Sequence, residues 1–512
     1  MKYPLLLLSF LAAGALFAGR PIARWDVIPY QRVSSVVKAG VVAFHEKAVT
    51  VEFTVNGRPA HTATKPELNG RTKVWEFVFP FDASKLPDGP VQLGAKVTAE
   101  GEAPYTLPEI VLYANAKKTQ GSRKAAWVDS RNGNEFADGS KEHPVKSIKQ
   151  AVQKCGDGGT VYLLPGNYQA RMIGGGKDRK FWTRIMPAAG VKRSQVRIAG
   201  GRTGTEKLHF INCELCCDVS DGYGTVIMGE GGQTMAWFDN CKMYNRQGRY
   251  AGSTTPFGNK LRAFVTGGLT TDMSNGPNCE LVRNHEVSSI ADCAFAGNDC
   301  LVVNTTVTDV DGTGTSADPD IFNGFATGSN WVGDVILYNV TATKVKAKGL
   351  AGQRLRDSAF VNLVIGATAG ELVYSRFSED MENVIFAHIT LVDQTWQWMQ
   401  AKNGRGNFKP KDVRMFNNVF RQMEGFETGD GSQGLLVRAS AFYNKDFYGK
   451  TALFGEQAVE IPRAFAGETD GVFNLPEGSP AATAGLALQS VPADVNGVPY
   501  PDGGRPCGAY AK

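Results

Sequence analysis

A short apolar run that meets an asparagine and then resumes recurs through the chain, and nothing else constrains the fold as much. The marks are Leu208-His-Phe-Ile-Asn212, Ala236-Trp-Phe-Asp-Asn240, Leu281-Val-Arg-Asn284, Leu301-Val-Val-Asn304, Ile336-Leu-Tyr-Asn339, Ala359-Phe-Val-Asn362 and Met415-Phe-Asn-Asn418. Successive marks are 28, 44, 20, 35, 23 and 56 residues apart. The 44 and the 56 read as two coils each, with His388 in Ile385-Phe-Ala-His388 marking a coil inside the second. A repeat of this length is one coil of a β-solenoid with variable loops. Asparagine side chains stacked along the axis can hydrogen-bond to one another, which explains their return at one turn. A propeller or a leucine-rich array would keep a stricter period.

The remaining composition agrees. Glycine, at 59 residues, is spread along the whole chain, which suits frequent tight turns. At 512 residues the chain needs two or more units or one elongated array. A formal charge of +5 is compatible with an acidic polymer as partner but too small to argue for nucleic acid. Nine cysteines are an odd count for a disulfide framework. Cys213, Cys241 and Cys293 each follow an Asn or Asp, so they read as small apolar residues on a core ladder.

Residues 1–19 read as a secretory signal: Lys2, the apolar stretch from Leu5 to Ala18, then small residues. That stretch is shorter than the ~20 residues of a membrane span, and none follows. The expectation is a secreted, extracellular or periplasmic protein. Residues 24–115 read as a small β-sandwich of the immunoglobulin-like kind. Val49, Val51, Phe53 and Val55 alternate with polar residues, as do Trp75, Phe77 and Phe79, and then Val91, Leu93, Ala95 and Val97, with turns at Asn56-Gly57 and Pro87-Asp88-Gly89. Residues 116–125 are a polar linker, and 126–512 form the solenoid.

The opening of that solenoid resembles a known family. Trp127-Val-Asp-Ser-Arg-Asn-Gly-Asn, Gly139-Ser-Lys-Glu-His-Pro-Val-Lys-Ser-Ile-Lys-Gln-Ala-Val and Gly158-Gly-Thr-Val-Tyr-Leu-Leu-Pro-Gly-Asn-Tyr168 are similar to the start of pectin-lyase-like right-handed parallel β-helix proteins, which are secreted bacterial proteins. Gly478-Ser-Pro-Ala-Ala-Thr-Ala-Gly485, Asp494-Val-Asn-Gly497 and Cys507-Gly-Ala-Tyr510 are similar to their closing segment. The resemblance implies an all-β, right-handed parallel β-helix, a helix capping its first coil, and a monomer. Ile148, Ala151 and Val152, on one helical face, supply that cap.

The flat, registered faces of such a solenoid suit an extended polysaccharide. The acidic loop Thr308-Asp-Val-Asp-Gly-Thr-Gly-Thr-Ser-Ala-Asp-Pro-Asp-Ile-Phe-Asn323 is the densest candidate site. Asp309, Asp311 and Asp318 could hold calcium through oxygen ligands. Asp309 and Asp311 stand five and seven residues after Asn304, and Lys344 and Lys346 five and seven after Asn339, so each acid is expected to face a base one coil away, ~4.8 Å along the axis. Asp320 is expected near Lys348, Arg354 or Arg356, with His285 on the same face and Asn323, Lys344, Lys346, Trp396 and Trp398 as substrate contacts. Such pairs are also an ordinary device for keeping a solenoid soluble and in register.

Three functions follow as expectations. The first is β-elimination from a uronate-containing polysaccharide: a cation neutralises the sugar carboxylate and a Lys or Arg of lowered pKa removes the adjacent proton, with His285 as a further catalytic candidate. The second is glycoside hydrolysis by two aspartates. The third is glycan binding or adhesion without catalysis. No phosphate-binding glycine loop, zinc-spaced Cys/His set or nucleophile elbow is present in the sequence.

Overall fold

The computed structural model describes residues 19–170, 173, 179–204, 207–218, 224–229, 234–258, 261–313, 315, 319–325, 330–346, 348–367, 373–399, 409–424, 434–443, 457–462, 465, 468, 473–501 and 504–511. Within them, two small, largely antiparallel sheets precede one long parallel sheet path. The fold class read from the sequence is therefore what the chain adopts: an all-β solenoid behind a small β-sandwich.

In the sandwich, Ile22–Trp25, Val36–Phe44, Trp75–Asp82 and Glu67–Leu68 make one sheet. The other holds Arg32–Val33, Ile110–Ala114, Gly89–Ala99, Val49–Val55 and Arg58–Ala63. Val49, Val51 and Phe53 face the core as their alternation requires, with Glu52 exposed. The Trp75 run does not alternate in burial. Phe77 and Phe79 are in the core, but Glu76 and Val78 are buried too, because the solenoid covers the other side of that strand.

The solenoid begins at strand Ala125–Val128, paired in parallel with Thr160–Leu163. Helix Ile148–Cys155 lies over those two strands. Ser147 caps it reciprocally with Gln150, and Ile148, Ala151, Val152 and Cys155 turn inward. The cap expected from the sequence is thus in place, satisfying a first coil that would otherwise present an open edge.

From Asn212 to Asn417 the coils turn at a residue in the left-handed conformation, most often an asparagine. Asn212, Asn240, Asn284, Asn304, Asn339, Asn362 and Asn417 have φ between 49° and 57°, and Gly267 (67°) and His388 (53°) fill the two gaps. The 44- and 56-residue intervals are accordingly two coils each, and the last mark is Asn417 rather than Asn418. Asparagine tolerates this backbone because its short amide can bond locally. Here the amides also bond along the axis: Asn240 donates to Asn212 at 2.7 Å, Asn339 to Asn304 at 3.0 Å, Asn362 to Asn339 at 3.0 Å and Asn417 to His388 Nε2 at 2.9 Å.

Alternation around these marks sorts the strands. Phe210, Phe238, Val265, Val282, Val302, Leu337, Phe360, Phe386 and Met415 stack inside. The residues one and three before each mark point outward. In the later coils these are Leu301 and Val303, Ile336 and Tyr338, Ala359 and Val361, Ile385 and Ala387; all are buried. The sandwich and the C-terminal segment cover them, through Ile22, Ile28, Val42, Phe44 and Val74 on one side and Leu488, Val491 and Tyr500 on the other. The sandwich is thus packed on the solenoid flank. Its ring of Phe44 meets Tyr338 edge-on at 5.0 Å, and Trp182 Nε1 donates to Pro29 O at 2.7 Å.

All nine cysteines are free and buried. Cys213 and Cys241 occupy the inward position after successive marks, as a core ladder requires. Cys293 departs from it: it sits within strand Glu286–Ala296, paired in register with Asp320.

Candidate functional site

Asp311 stands in register with Lys346, and their charged atoms are 3.4 Å apart. Asp309 and Lys344 fall at matching corner positions, both left-handed (φ 58° and 55°). The spacing from Asn304 and Asn339 therefore gives the correct coil-to-coil pairing. The partner it does not give is Arg249, which reaches Asp309 Oδ2 at 2.9 Å and Asp311 Oδ2 at 3.9 Å. Arg249 thus stands where a calcium shared by these two carboxylates would have to sit. Asp318 lies outside the described residues, and no group of three His, Cys, Asp or Glu side chains gathers among the described residues.

Asp320 opens strand Asp320–Phe325 in register with Lys348, as expected, but on the wrong side of the wall for substrate. Asp320 is 0% exposed and Lys348 9%, and Asn323 Nδ2 donates to Asp320 Oδ2 at 2.7 Å. A polymer cannot reach a fully enclosed carboxylate, so the catalytic role expected for this pair is corrected to an interior polar contact, and Asn323 serves it rather than a sugar. Arg354 is engaged by Glu379. Arg356 is exposed, in register with Glu382.

His285 also turns inward, taking the position that Cys213 and Cys241 hold in earlier coils. It is 2% exposed; Nδ1 donates to Gly267 O at 2.8 Å and Nε2 accepts from Thr270 Oγ1 at 2.9 Å. Burial pulls its imidazole down to about 4, so it is a neutral core residue and not a catalytic base on a face. Trp396 is corrected likewise: 1% exposed, it packs on Phe377 and Phe386 at 5.0 and 4.8 Å and cannot stack on a sugar. The backbone of Trp398 pairs with Phe377, and its side chain lies outside the described residues.

A second arrangement, not anticipated from the sequence, lies where the sandwich meets the early coils. There the outward positions are polar and aromatic instead of aliphatic: His209, then Trp237 and Asp239, then Thr266, then Arg283. Ile28, Gln31 and Arg71 of the sandwich face them across a cleft of about 350 Å³, floored by Trp237, Asp239, Asn240, Thr266, Gly267, Arg283 and Asn284. His209 and Trp237 stack at 3.6 Å with ring planes 4° apart. Asp239 is fixed from two sides: Thr266 Oγ1 donates to its Oδ1 at 3.0 Å, and His209 Nε2 lies 3.7 Å from its Oδ2. Trp237 Nε1 in turn donates to Thr266 at 2.8 Å.

Burial opposes the charge on Asp239, but His209 and Thr266 outweigh it and keep the carboxyl below its usual range. Burial also lowers the His209 imidazole, against the pull of Asp239, so the ring is neutral near pH 7. Arg283 is held by the buried Asp26, and Arg193 reaches the rim by donating to Asn240 O at 3.2 Å. Arg71 and Arg283 thus line the same cleft as the half-buried Asp239, with Arg193 at its rim. From the other direction, Trp127, Tyr162, Met186 and Ile211 lie in register on successive coils below Asp239, each half-buried, with the first two rings 5.0 Å apart. They make an apolar track in ~4.8 Å steps that leads into the cleft.

Part of this was legible. Trp237, Asp239 and Arg283 are the residues three and one before Asn240 and Asn284, so their outward direction follows from the marks. Arg71 belongs to another unit, and no spacing connects it to them.

No family model matches this chain, and no curated protein matches it. A solved structure described as a rhamnogalacturonan lyase aligns with 74% of this chain and 95% of its own, at 10% identity and a TM-score of 0.30. Likeness of that size carries no argument about activity, and the functional reading rests on the cleft itself.

Proposed function

We propose that this chain is a secreted, carbohydrate-active protein that takes an acidic polysaccharide along the Trp127–Ile211 track into the junction cleft and cleaves it by β-elimination. The observation that carries this reading is the convergence of Arg71, Arg193 and Arg283 on a cleft floored by Trp237 and Asp239. Guanidinium groups match a uronate carboxylate in shape and charge, and an indole offers a flat apolar surface to a sugar ring. Neutralising that carboxylate acidifies the carbon-bound proton next to it. Asp239, half-buried on the floor of the cleft, would accept the proton while the glycosidic C–O bond one carbon away breaks, a C=C bond forms and the departing oxygen is protonated from water. His209, enclosed behind it, would hold the carboxylate in place and would not meet substrate.

The hydrolytic alternative fits less well. Asp239 is the one carboxylate lining the cleft among the described residues, whereas hydrolysis uses a pair. Glycan binding without cleavage is the reading that survives if no bond is broken.

The experiment is absorbance at the unsaturated-uronate band with a panel of acidic polysaccharides, with calcium and with chelator. Arg71→Ala and Trp237→Ala are each expected to reduce the rate at least tenfold, and Asp320→Asn to act only through stability. Loss of activity on chelation would overturn the metal-free reading of the junction cleft. New reducing ends without absorbance would establish a hydrolase; binding with neither signal would leave a lectin-like protein.

A further inference from the structure

Gly19 is buried, with Asp412, Arg414 and His45 against it. A Cβ at this position would lie 1.7 Å from Asp412 Oδ2 and 2.8 Å from Arg414 Nη2, so the carboxylate rests directly beside the glycine backbone and a larger residue would have to displace it. Peptide geometry then places the Gly19 nitrogen within about 4 Å of that oxygen. Asp412 is 8% exposed, and its Oδ2 has no hydrogen-bond partner. Its Oδ1 lies 3.2 Å from Arg414 Nε, but that guanidinium also serves Glu46 at 2.8 Å and Asn383 at 2.5 Å. Two carboxylates therefore share one cation, and a buried charge left without its own partner is costly.

The backbone is held on both sides of this point. His45 Nε2 donates to Gly19 O at 3.0 Å. Arg20 is clamped to Asp357, with Nε at 3.1 Å and Nη2 at 2.7 Å from the two carboxylate oxygens. A secondary amide at Gly19 would offer Asp412 no charge. An ammonium would.

We propose that the chain is processed at the Ala18–Gly19 bond and that the new Gly19 ammonium docks against Asp412. Water adds across the amide: Ala18 leaves with the new carboxylate, and the released glycine amine takes up a proton. Ala18, behind the apolar stretch from Leu5, is small, as the residue before a leader cut must be, while Leu16 two places earlier departs from the small-x-small pattern, so the position of the cut rests on the Gly19–Asp412 geometry. The cut falls one residue earlier than the 1–19 boundary expected from sequence, because Gly19 belongs to the fold.

Two measurements test it. N-terminal sequencing of the exported full chain is expected to begin at Gly19; any other first residue overturns the proposal. The Gly19 form is then compared with a chain released one residue earlier, at Ala18, each with and without Asp412→Asn. The Ala18 form is expected to melt about 1–3 °C lower, and Asp412→Asn to erase that difference. A difference that persists in Asp412→Asn, or none in the unsubstituted chain, overturns the pairing.

Discussion

At the residue scale, the corner asparagines do two jobs that no other side chain combines. They accept the left-handed backbone at modest cost, and they pass an amide hydrogen bond from coil to coil. Asn362 shows both. It is fully buried, has φ of 51°, and donates to Asn339 Oδ1 at 3.0 Å and Ala493 O at 2.7 Å. Asn362→Ala is expected to destabilise by about 2–4 kcal/mol, from left-handed strain and unsatisfied buried acceptors. Asn362→Gly should recover only the strain. Denaturant unfolding of the two variants measures this; equal losses would mean that backbone strain contributes nothing.

At the element scale, the outward face of the later coils is as apolar as the interior, which a solenoid in water cannot leave bare. The sandwich and the C-terminal segment are its cover. Gln489 Oε1 accepts from Val49 N at 3.0 Å, Ser490 Oγ donates to His45 O at 3.0 Å, and His388 stacks on Tyr500 at 4.7 Å, so the closing segment stitches the two units. Phe44→Ala, at the Tyr338 contact, is expected to cost about 3–5 kcal/mol and to sensitise the sandwich to protease before the solenoid. Cleavage in both units at equal rates would show that they do not unfold separately.

At the scale of the whole molecule, stability should fall with acid through residues the chemistry does not use. His285 and His388 are fully buried and held down to about 4 and about 3 by burial. Each is neutral when folded, with an Nε2 that accepts a hydrogen bond. A lowered histidine value means the unfolded chain binds the extra proton first, so stability present at pH 7 is lost as pH drops below ~6.5. At pH 5 the loss is about 2 kcal/mol per histidine. Glu76 acts in the opposite sense: burial and then Asp26 raise it well above its usual value, and its contribution is lost as pH rises through that value. His388→Asn keeps the corner and is expected to lose about 2 kcal/mol less than the parent between pH 7 and pH 5. An unchanged loss in denaturant titrations would remove His388 from the account.

The sequence by itself determined the solenoid, its coil boundaries and the pairing of Asp311 with Lys346, because these depend on short-range facts: alternation, a turn residue and a count from it. Strand register carries such a count from the Asn304 coil to the Asn339 coil, where Thr305 to Asp311 pair in step with Val340 to Lys346. The sequence did not determine which outward faces stay open. Asp320, His285 and Trp396 looked available and are enclosed, since an inward or covered position is set by how the wall closes and by what packs on it. Trp237, Asp239 and Arg283 read as parts of two ordinary coil marks, and they line a cleft only because a separate unit brings Arg71 over them. That choice belongs to tertiary structure: docking the sandwich on the aliphatic coils buries those coils and leaves the polar, aromatic ones at its edge.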